Sequence, residues 1–287
     1  MAKIADLLAG GRCYSFEFFP PKTDEAEQVL EQTLRDLEPL QPSYVSITYG
    51  AGGSTRERTH ELVVHILRNT TITPMAHLTC AAHTTADLRR ILERYRDAGV
   101  ENILCLGGDP PVGLDLPAGE LTYATELVAL AREVDGFSLG VAAHPEGHPS
   151  SINLTGDRDR MADKLRDADF AVTQFFFRPS DYFDFVAALA DRGVTKPVVP
   201  GIMPISSLSG ISRMASMSGS AVPHEVIDRL EPYADDAAAV RKCGVEIATE
   251  LCRALLDGGA PGLHFYTLNR STSTREIYAN LGLGPVG

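Results

Sequence analysis

The feature that most constrains the fold is an alternation of short β-rich runs with longer amphipathic, charge-flanked segments. This alternation occurs eight times, with no internal repeat and no low-complexity linker. The predicted strands are residues 14–19, 44–48, 75–78, 102–106, 138–142, 171–176, 198–202 and 262–266. The predicted helices are residues 24–37, a segment from near 55, 85–97, 121–133, 158–168, 180–191, a region from 206 that includes Pro223, 236–256 and 273–281.

Strands that alternate with helices indicate parallel pairing through right-handed crossovers. Eight such units in 287 residues favour an α/β fold of the (β/α)8 TIM-barrel type, with residues 1–287 as a single domain. An open, doubly wound sheet is the alternative. The Gly-x-Gly-x-x-Gly signature of a dinucleotide-binding unit does not follow the first predicted strand, which favours the barrel.

The charge and cysteine content exclude several classes of function. A formal charge of −12 argues against nucleic acid and anionic membranes as partners. No apolar run reaches the ~18 residues of a membrane span, and the N-terminus lacks the apolar centre of a signal peptide. Five cysteines without a Cys-x-x-Cys pair predict neither a disulfide framework nor a zinc cluster. A cytoplasmic location is therefore expected, and a homo-oligomer remains possible.

Polar residues stand at the carboxyl ends of seven of the eight predicted strands. In a barrel these ends converge on one mouth, where TIM-barrel enzymes place their active sites. A single buried polar residue is usually a satisfied core group, but a whole rim of them indicates a functional mouth. The residues are Glu17, Thr48, His77, Asp109, His144, Gln174 and, just after the last strand, Asn269 and Arg270.

Each of these residues also has a structural interpretation. A buried carboxylate such as Glu17 is costly unless it is paired or protonated, so it is either catalytic or bound to neighbouring groups. Asp109 follows two glycines that permit close approach of a ligand, or it forms a proline-rich turn. Gln174 leads into Phe175–Phe177, which is either a wall for a flat ring or ordinary barrel packing. His77 could be a core histidine.

Other chemistries find little support in the sequence. No lysine lies within a strand near the predicted mouth, which argues against a Schiff-base aldolase. The spacing of His144, Glu146 and His148 matches no standard zinc pattern, so no metal site is expected. Cys80 and Cys105 lie in or beside apolar strands and are expected to be buried and inert.

Eight motifs in this order together resemble the methylenetetrahydrofolate reductase family, and specifically its catalytic barrel without a regulatory domain. They cover nearly the whole chain and lie at residues 15–21, 45–55, 77–79, 108–111, 142–149, 173–176, 200–204 and 264–269. The resemblance implies reduction of 5,10-methylenetetrahydrofolate to 5-methyltetrahydrofolate, with hydride from NADH or NADPH. The usual members pass this hydride through FAD.

The resemblance also assigns roles on the folate side. Glu17 is expected to be the general acid that protonates N10 and opens the imidazolidine ring, which a carboxyl with a raised pKa would suit. Asp109 is expected to bind the pterin and to stabilise the developing cation. The remaining substrate contacts implied are Gln174, Phe176, Tyr266, Leu268 and Arg270.

The cofactor contacts that the resemblance implies lie around the same mouth. Arg160 and Lys164 are four residues apart, which would place them on one helix face near the flavin phosphates. The full implied set is Thr48, Tyr49, Ala51, His77, Gly107, Gly108, Tyr123, Ala124, His144, His148, Asp157, Arg160 and Lys164.

Four departures from the family pattern bear on the flavin. Gly107 stands where flavin-binding members usually carry Arg, and His144 stands where they carry an aromatic residue. Asp163 replaces a basic residue, and Met214 replaces an aromatic residue that stacks on NADH in some members. Weak FAD binding, or direct hydride transfer from NADH, is therefore expected beside the flavin-dependent mechanism. A pterin transferase and a non-catalytic folate binder are the alternative functions.

Overall fold

The protein is described from a computed structural model, which covers residues 2–49, 53–108 and 119–283, without the side chains of residues 53–55. Eight parallel strands form a closed barrel in sequence order, from β1 to β8 and back to β1. Helices surround the barrel, so the predicted (β/α)8 TIM barrel is confirmed. The strands are β1 Cys13–Phe18, β2 Tyr44–Ile47, β3 Pro74–Thr79, β4 Asn102–Leu106, β5 Ser138–Ala143, β6 Phe170–Phe175, β7 Val198–Ile202 and β8 Gly262–Tyr266.

The helices follow the predicted segments within a few residues, with two exceptions. They are α1 Ile4–Gly10, α2 Asp24–Leu37, α3 Gly53–Asn69, α4 Thr85–Ala98, α5 Ala124–Val134, α6 Leu154–Asp167, α7 Pro179–Ala190, α8 Leu208–Ser218, α9 His224–Leu230, α10 Ala237–Asp257 and α11 Thr272–Leu281. The region from residue 206 is two helices, because Pro223 is the N-cap of α9 rather than an interior residue. Helix α1 was not predicted.

Helix α1 covers the amino-terminal end of the barrel. Its first two free backbone N–H groups are bound by side chains of the barrel: Ile4 N donates to Asn102 Oδ1 (2.8 Å) and Ala5 N to Ser138 Oγ (3.1 Å). Ile4 and Leu8 are buried in one cluster with the lower interior residues of the strands, including Met75. This packing leaves the opposite, carboxyl-terminal end of the barrel as the mouth.

The register of the strands places the interior side chains in layers. Strand β1 pairs with β8 so that Ser15 lies beside His264 and Glu17 beside Tyr266. On its other side, Glu17 lies beside Ser46 of β2. Because side chains alternate along a strand, Ser15 and Glu17 both point into the barrel. The outward residues Phe16 and Phe18 are fully buried against the helices.

The outer surface of the helices carries a groove of about 310 Å³. It lies between α2 and α3, outside the barrel, and is lined mainly by acidic and apolar side chains, with Arg58 and His65. Among the residues that the structure describes, no helix is both long enough and apolar enough to cross a membrane.

Candidate active site

Glu17 lies inside the barrel, where side chains from four strands meet. The residue is 7% exposed, and its side chain 10%. One oxygen, Oε2, accepts a hydrogen bond from Ser46 Oγ (3.3 Å) and lies 3.3 Å from His264 Nε2. His77 Nε2 is 3.4 Å from the same oxygen. The cost of burying this carboxylate is therefore offset by three polar neighbours on β2, β8 and β3.

The protonation state of Glu17 differs from the expectation. Burial raises the pKa of its carboxyl, but the hydrogen bond from His264, the positive charges of His77 and His264 when protonated, and the Ser46 hydrogen bond together outweigh burial. The net result is a pKa below the ordinary glutamate value. The expected raised pKa was therefore wrong for the ligand-free molecule, since sequence could not reveal these neighbours.

His77 is held as a neutral ring. Burial lowers its pKa to about 4, and the proximity of Glu17 only partly opposes this. The side chain lies on the interior face of β3 against Glu17, at 3.4 Å between Nε2 and Oε2, and this nitrogen has no hydrogen-bond partner among the described residues. The sequence predicts a cofactor contact at His77, but its position makes it first a neighbour of Glu17.

Three residues of this cluster were absent from the predicted site: Ser15, Ser46 and His264. All three are fully buried. His264 stood within a family motif but had no role assigned. The signal that could have found them is the two-residue period, since Ser15 shares a face with Glu17, and His264 shares one with Tyr266.

Four of the residues predicted to contact the substrate lie at the end of β6, at the end of β8 and in the loop after β8. Gln174 is half-buried at the end of β6, where its Oε1 accepts from Phe175 N (3.0 Å). Tyr266 is also half-buried, and its hydroxyl donates to Thr173 O (2.6 Å). Leu268 and Arg270 are exposed in the loop after β8. These four residues lie on strands or loops at the carboxyl-terminal end of the barrel.

Phe176 is placed in the outer core. Its ring stacks on Tyr182 of α7, with ring centroids 6.1 Å apart, and its side chain is 1% exposed. This is the packing role that the Phe175–Phe177 run also allowed. Phe176 therefore supports helix α7 and has no surface to offer a ligand.

The loop after β8 is fixed to the end of β1. Asn269 Nδ2 donates to Phe19 O (2.9 Å), and its Oδ1 accepts from Phe19 N (2.8 Å). Thr267 Oγ1 donates to the backbone oxygen of Glu17 (2.6 Å). Asn269, expected as a polar group of the rim, thus serves to hold the two loops together.

Apart from His77 on β3, the predicted cofactor residues of the first four strands lie on the loops after β2 and β4 and at the start of α5, where the backbone of Gly107 passes close to Ala124 N. Thr48 follows β2, but the Tyr49 hydroxyl lies 2.8 Å from His83 Nε2 and the Tyr49 ring packs against the outer core. Tyr123 is exposed before α5, which begins at Ala124. Asp109 and Ala51 lie outside the described residues.

The Gly107-Gly108 pair leaves no room for side chains. A Cβ on Gly107 would lie 3.0 Å from Thr122 O. Gly108 has φ = 80°, and a Cβ there would lie 2.8 Å from Thr79 Cβ. The backbone therefore passes close to its neighbours here, and an Arg in the place of Gly107 would require Thr122 to move.

The groups expected near a flavin diphosphate on α6 have other partners. Asp157 accepts from Ser151 Oγ (2.7 Å) and His148 N (3.1 Å) and pairs with Arg158 (3.0 Å). Arg160 donates to Ser151 Oγ (2.8 Å), and it is exposed. Lys164 turns instead to Ala142 O (2.5 Å), with burial lowering its pKa to about 8.

His144 of the β5–α6 loop and the residue before Lys164 add no positive charge at neutral pH. Burial lowers the pKa of His144 to about 4, and its ring meets His148 edge-on with centroids 4.7 Å apart. Asp163 is exposed and pairs with Arg166. The residues present therefore fit a flavin diphosphate poorly, because Lys164 is turned to a backbone oxygen and Asp163 is acidic, which leaves the exposed Arg160 as the expected positive partner. Among the described residues, no three His, Cys, Asp or Glu side chains are grouped to hold a metal ion.

The arrangement supports proton transfer at a sheltered site. A carboxyl group stands near the end of β1, with one oxygen held by the barrel and the other directed away from these donors. Two buried histidines limit its orientation, and aromatic Tyr266 lies beside it in the register. Acid–base chemistry on a bound planar molecule is the chemistry that these groups can perform.

Comparison with known proteins identifies the family. Residues 2–282 match the profile of the family "Methylenetetrahydrofolate reductase". The chain is 36% identical over 272 residues to the 5,10-methylenetetrahydrofolate reductase of Escherichia coli, covering 94% of this chain and 91% of that protein. It is 36% identical to methylenetetrahydrofolate reductase (NADH) 1 of Zea mays over 297 residues, which are 98% of this chain and 50% of the maize protein.

Solved structures with low sequence identity share the fold. A Clostridium thermocellum protein that binds two copies of 5-methyl-5,6,7,8-tetrahydrofolic acid is 14% identical, with a TM-score of 0.64 and 96% of each chain covered. Dihydropteroate synthase of Xanthomonas albilineans is 12% identical, with a TM-score of 0.52 and 96% and 94% covered. These two likenesses concern the barrel only. The extent of the sequence matches shows that the chain belongs to the methylenetetrahydrofolate reductase family.

Proposed function

We propose that this chain reduces 5,10-methylenetetrahydrofolate to 5-methyltetrahydrofolate, with NADH or NADPH as hydride source and Glu17 as the proton donor. The reaction follows from membership of the family. The observation that supports the role of Glu17 is its position: a nearly buried carboxyl at the mouth end of β1, held through one oxygen by groups from β2 and β8. Asp109, Gln174 and Tyr266 are proposed to contact the pterin.

The proton step opens the five-membered ring of the substrate. The O–H bond of Glu17 breaks as its proton passes to N10, and the bond between N10 and the methylene carbon then breaks. The methylene carbon is left as an iminium with N5, and hydride addition to it gives the methyl group. One proton and one hydride are consumed in each turnover, so Glu17 must be protonated again from water before the next.

Substrate binding is proposed to prepare Glu17 for this step. In the free chain its pKa is below the ordinary value, so the carboxyl is ionised at neutral pH. A pterin over the mouth would remove the remaining 7% exposure of Glu17. Desolvation favours the neutral form of a carboxyl. Binding and protonation are therefore coupled, and the proton is present when the substrate is.

We propose that the hydride passes directly from the nicotinamide to the substrate. The residues expected around FAD support this, since Asp157 is engaged by three partners and Asp163 adds negative charge to the same helix. Each charge-assisted hydrogen bond that a diphosphate fails to make weakens its binding by about 1.5–3 kcal/mol. Both the nicotinamide and the pterin would then occupy the mouth together.

The experiment is NADH oxidation by protein stripped of flavin, with methylenetetrahydrofolate, with and without added FAD. We expect equal rates, and we expect deuterium from [4-²H]NADH to be retained in the methyl group. A rate that needs FAD would overturn direct transfer but leave the reaction intact. No NADH oxidation in either condition would favour a pterin transferase or a folate binder.

The role of Glu17 is tested by Glu17→Gln. General acids contribute about 10²–10⁴ in rate, so turnover should fall at least about a hundredfold while 5-methyltetrahydrofolate still binds. Glu25→Gln is the matched control, because Glu25 is exposed on α2 outside the barrel. Unchanged turnover in Glu17→Gln would remove Glu17 from the mechanism.

Three further expectations remain proposals. Residues 1–287 are proposed to act as one catalytic barrel. The five cysteines are free and buried, which is consistent with a reducing cytoplasmic setting. We propose that the chain assembles as a homo-oligomer, which sedimentation or light scattering would test.

A further inference from the structure

Ser15, His264 and Glu17 form a continuous line inside the barrel. Ser15 Oγ lies 2.8 Å from His264 Nδ1, and His264 Nε2 lies 3.3 Å from Glu17 Oε2. Ser15 and His264 are 0% exposed. The line exists because β1 and β8 pair with Ser15 directly beside His264. It runs from the sheltered interior up to the carboxyl at the mouth.

The chemistry of the three groups fixes where the protons lie. Two contacts favour the Nε2–H tautomer of a neutral His264: the ionised carboxylate of Glu17 only accepts hydrogen bonds, and the Ser15 hydroxyl can donate to Nδ1. Nδ1 is then an acceptor, and the Ser15 hydroxyl is the donor that satisfies it, because Ser15 Oγ lies 2.8 Å from Nδ1 but 3.5 Å from its other acceptor, Leu263 O. In the opposite tautomer, Nδ1–H would face the Ser15 oxygen, and the Nε2 lone pair would face the lone pairs of Oε2.

The two oxygens of Glu17 are also unequal. Oε2 receives Ser46 and His264 and lies near His77. No hydrogen bond to Oε1 is found among the described residues, which makes Oε1 the oxygen free to carry a proton. A carboxyl anchored through Oε2 cannot rotate without losing these donors, so Oε1 keeps a constant direction.

We infer that Ser15 is a positioning residue for the reduction: it holds His264 in the Nε2–H tautomer, which anchors Oε2 of Glu17 and reserves Oε1 for the proton given to the substrate. This inference rests on the proposed role of Glu17. It differs from a hydrolytic Ser–His–acid triad, because here the serine is the buried end and the carboxyl faces the substrate. When the Oε1–H bond breaks, the new carboxylate keeps its His264 and Ser46 donors.

The other titratable groups around Glu17 lie on the neighbouring strands β2, β3 and β8. They are His77 on β3, Tyr44 on β2, and His264 and Tyr266 on β8. Burial raises the pKa of both tyrosines, so neither changes charge between pH 5 and 8. Within that range, changes at Ser15 act on Glu17 through His264.

The direct test is nitrogen NMR of protein labelled with ¹⁵N-histidine, with His264→Gln used to assign the His264 signals. In the wild type we expect Nε2 protonated and Nδ1 unprotonated. In Ser15→Ala we expect a mixture of the two tautomers, and in Ser15→Thr, which keeps the hydroxyl, the wild-type pattern. A wild-type His264 with its proton on Nδ1 would overturn the inference.

The kinetic test is the pH dependence of kcat/KM for NADH oxidation. In Ser15→Ala the hydrogen bond from His264 to the ionised Glu17 carboxylate should be weaker, which raises the pKa of Glu17. The falling limb of the kcat/KM profile should therefore move to higher pH by about half to one unit. The same change should lower kcat about tenfold and alter KM less than twofold, because the donor oxygen is less well placed. A limb and tautomer that both stay unchanged would contradict the inference.

Two further variants separate positioning from simple loss of stability. Tyr278→Phe removes a buried hydroxyl that has no hydrogen-bond partner among the described residues, from a ring packed against Phe16 and Phe265 on the outer side of the barrel. It should leave the limb and the tautomer unchanged. In His264→Gln the amide N–H has no tautomer, so adding Ser15→Ala should produce no further shift of the limb. A further shift would show that Ser15 acts by another route.

The outcomes also separate this inference from the proposed function. If Glu17→Gln retains turnover, the role of Glu17 as the acid fails whatever the tautomer of His264. If Glu17→Gln loses turnover while Ser15→Ala leaves tautomer and limb unchanged, the proposed function stands and the positioning role fails.

Discussion

At the scale of single residues, the environment of Glu17 decides its chemistry more than its identity does. Burial and hydrogen bonding act on its pKa in opposite directions, and the donors prevail in the free chain. The carboxyl of Glu17 is therefore protonated near neutral pH only when a further interaction raises its pKa. Covering the mouth with a ligand adds desolvation, which acts toward the protonated form.

The coupling of binding to protonation gives a prediction for the wild type and Glu17→Gln. Binding of 5-methyltetrahydrofolate near pH 6 should take up a fraction of a proton, and this fraction should grow as pH falls. The sign follows because the carboxyl is ionised before binding and desolvated after it. Calorimetry in buffers of different ionisation enthalpy measures the uptake. Equal uptake by the wild type and Glu17→Gln would exclude Glu17 as its source.

The lowered pKa of Glu17 also predicts how kcat/KM depends on pH. Because kcat/KM reports the free enzyme, a carboxyl with a lowered pKa should make kcat/KM rise as pH falls from 8 to 5, by up to about tenfold per unit. The limb of kcat should lie at higher pH, since it reports the complex. Initial rates of NADH oxidation test this, and a kcat/KM plateau that extends to pH 7 would contradict the lowered pKa.

At the scale of elements, each end of the barrel is completed by a different kind of contact. At the mouth, the β1 and β8 loops are joined through Asn269 and Phe19. At the other end, helix α1 is held by Asn102, which accepts from Ile4 N and donates to Ala2 O (3.2 Å) and Pro74 O (3.4 Å). Asn102 is 1% exposed, so these bonds have no competition from water.

Removal of the Asn102 side chain should therefore destabilise the protein without affecting the chemistry. Asn102→Ala leaves the N–H of Ile4 unpaired in a buried place, which costs about 1–3 kcal/mol of unfolding free energy. Urea unfolding measures this loss, and Gln28→Ala, at an exposed amide side chain on α2, is the control with an expected change within about 0.5 kcal/mol. Because α1 lies opposite the mouth, kcat should be unchanged; a large fall in kcat at full folding would contradict this separation.

At the scale of the whole molecule, buried neutral histidines connect stability to pH. Burial lowers the pKa of His77, His83 and His144 to about 4 in each case. The unfolded chain binds protons on these rings near pH 6.5, but the folded chain does not until about pH 4. Protons therefore favour the unfolded state throughout this range.

The resulting prediction is a loss of stability in mild acid. Unfolding free energy should be highest above about pH 6.5 and fall as pH decreases toward 4, by at most about 1.4 kcal/mol per pH unit for each histidine. Urea unfolding at several pH values measures the slope. His83→Gln should reduce it, whereas His224→Gln, at an exposed position, should not. A slope identical in wild type and His83→Gln would contradict the assignment to buried rings.

The sequence by itself determined the order of the strands and helices, and hence the barrel. Each strand or helix is specified by a hydrophobic period of two or 3.6 residues within one continuous stretch of the chain. The sequence also placed Glu17 at the end of β1 and carried the family motifs. Only the tertiary structure decided that Ser15, Ser46, His77 and His264 surround Glu17, because strand pairing brings residues up to 249 positions apart into contact. Tertiary packing also places the Phe176 ring in the outer core against Tyr182. It gives Asp157 a hydrogen bond from Ser151 and an ion pair with Arg158. Burial and the sum of long-range interactions set the pKa of Glu17, and neither is a property of any short stretch of the chain.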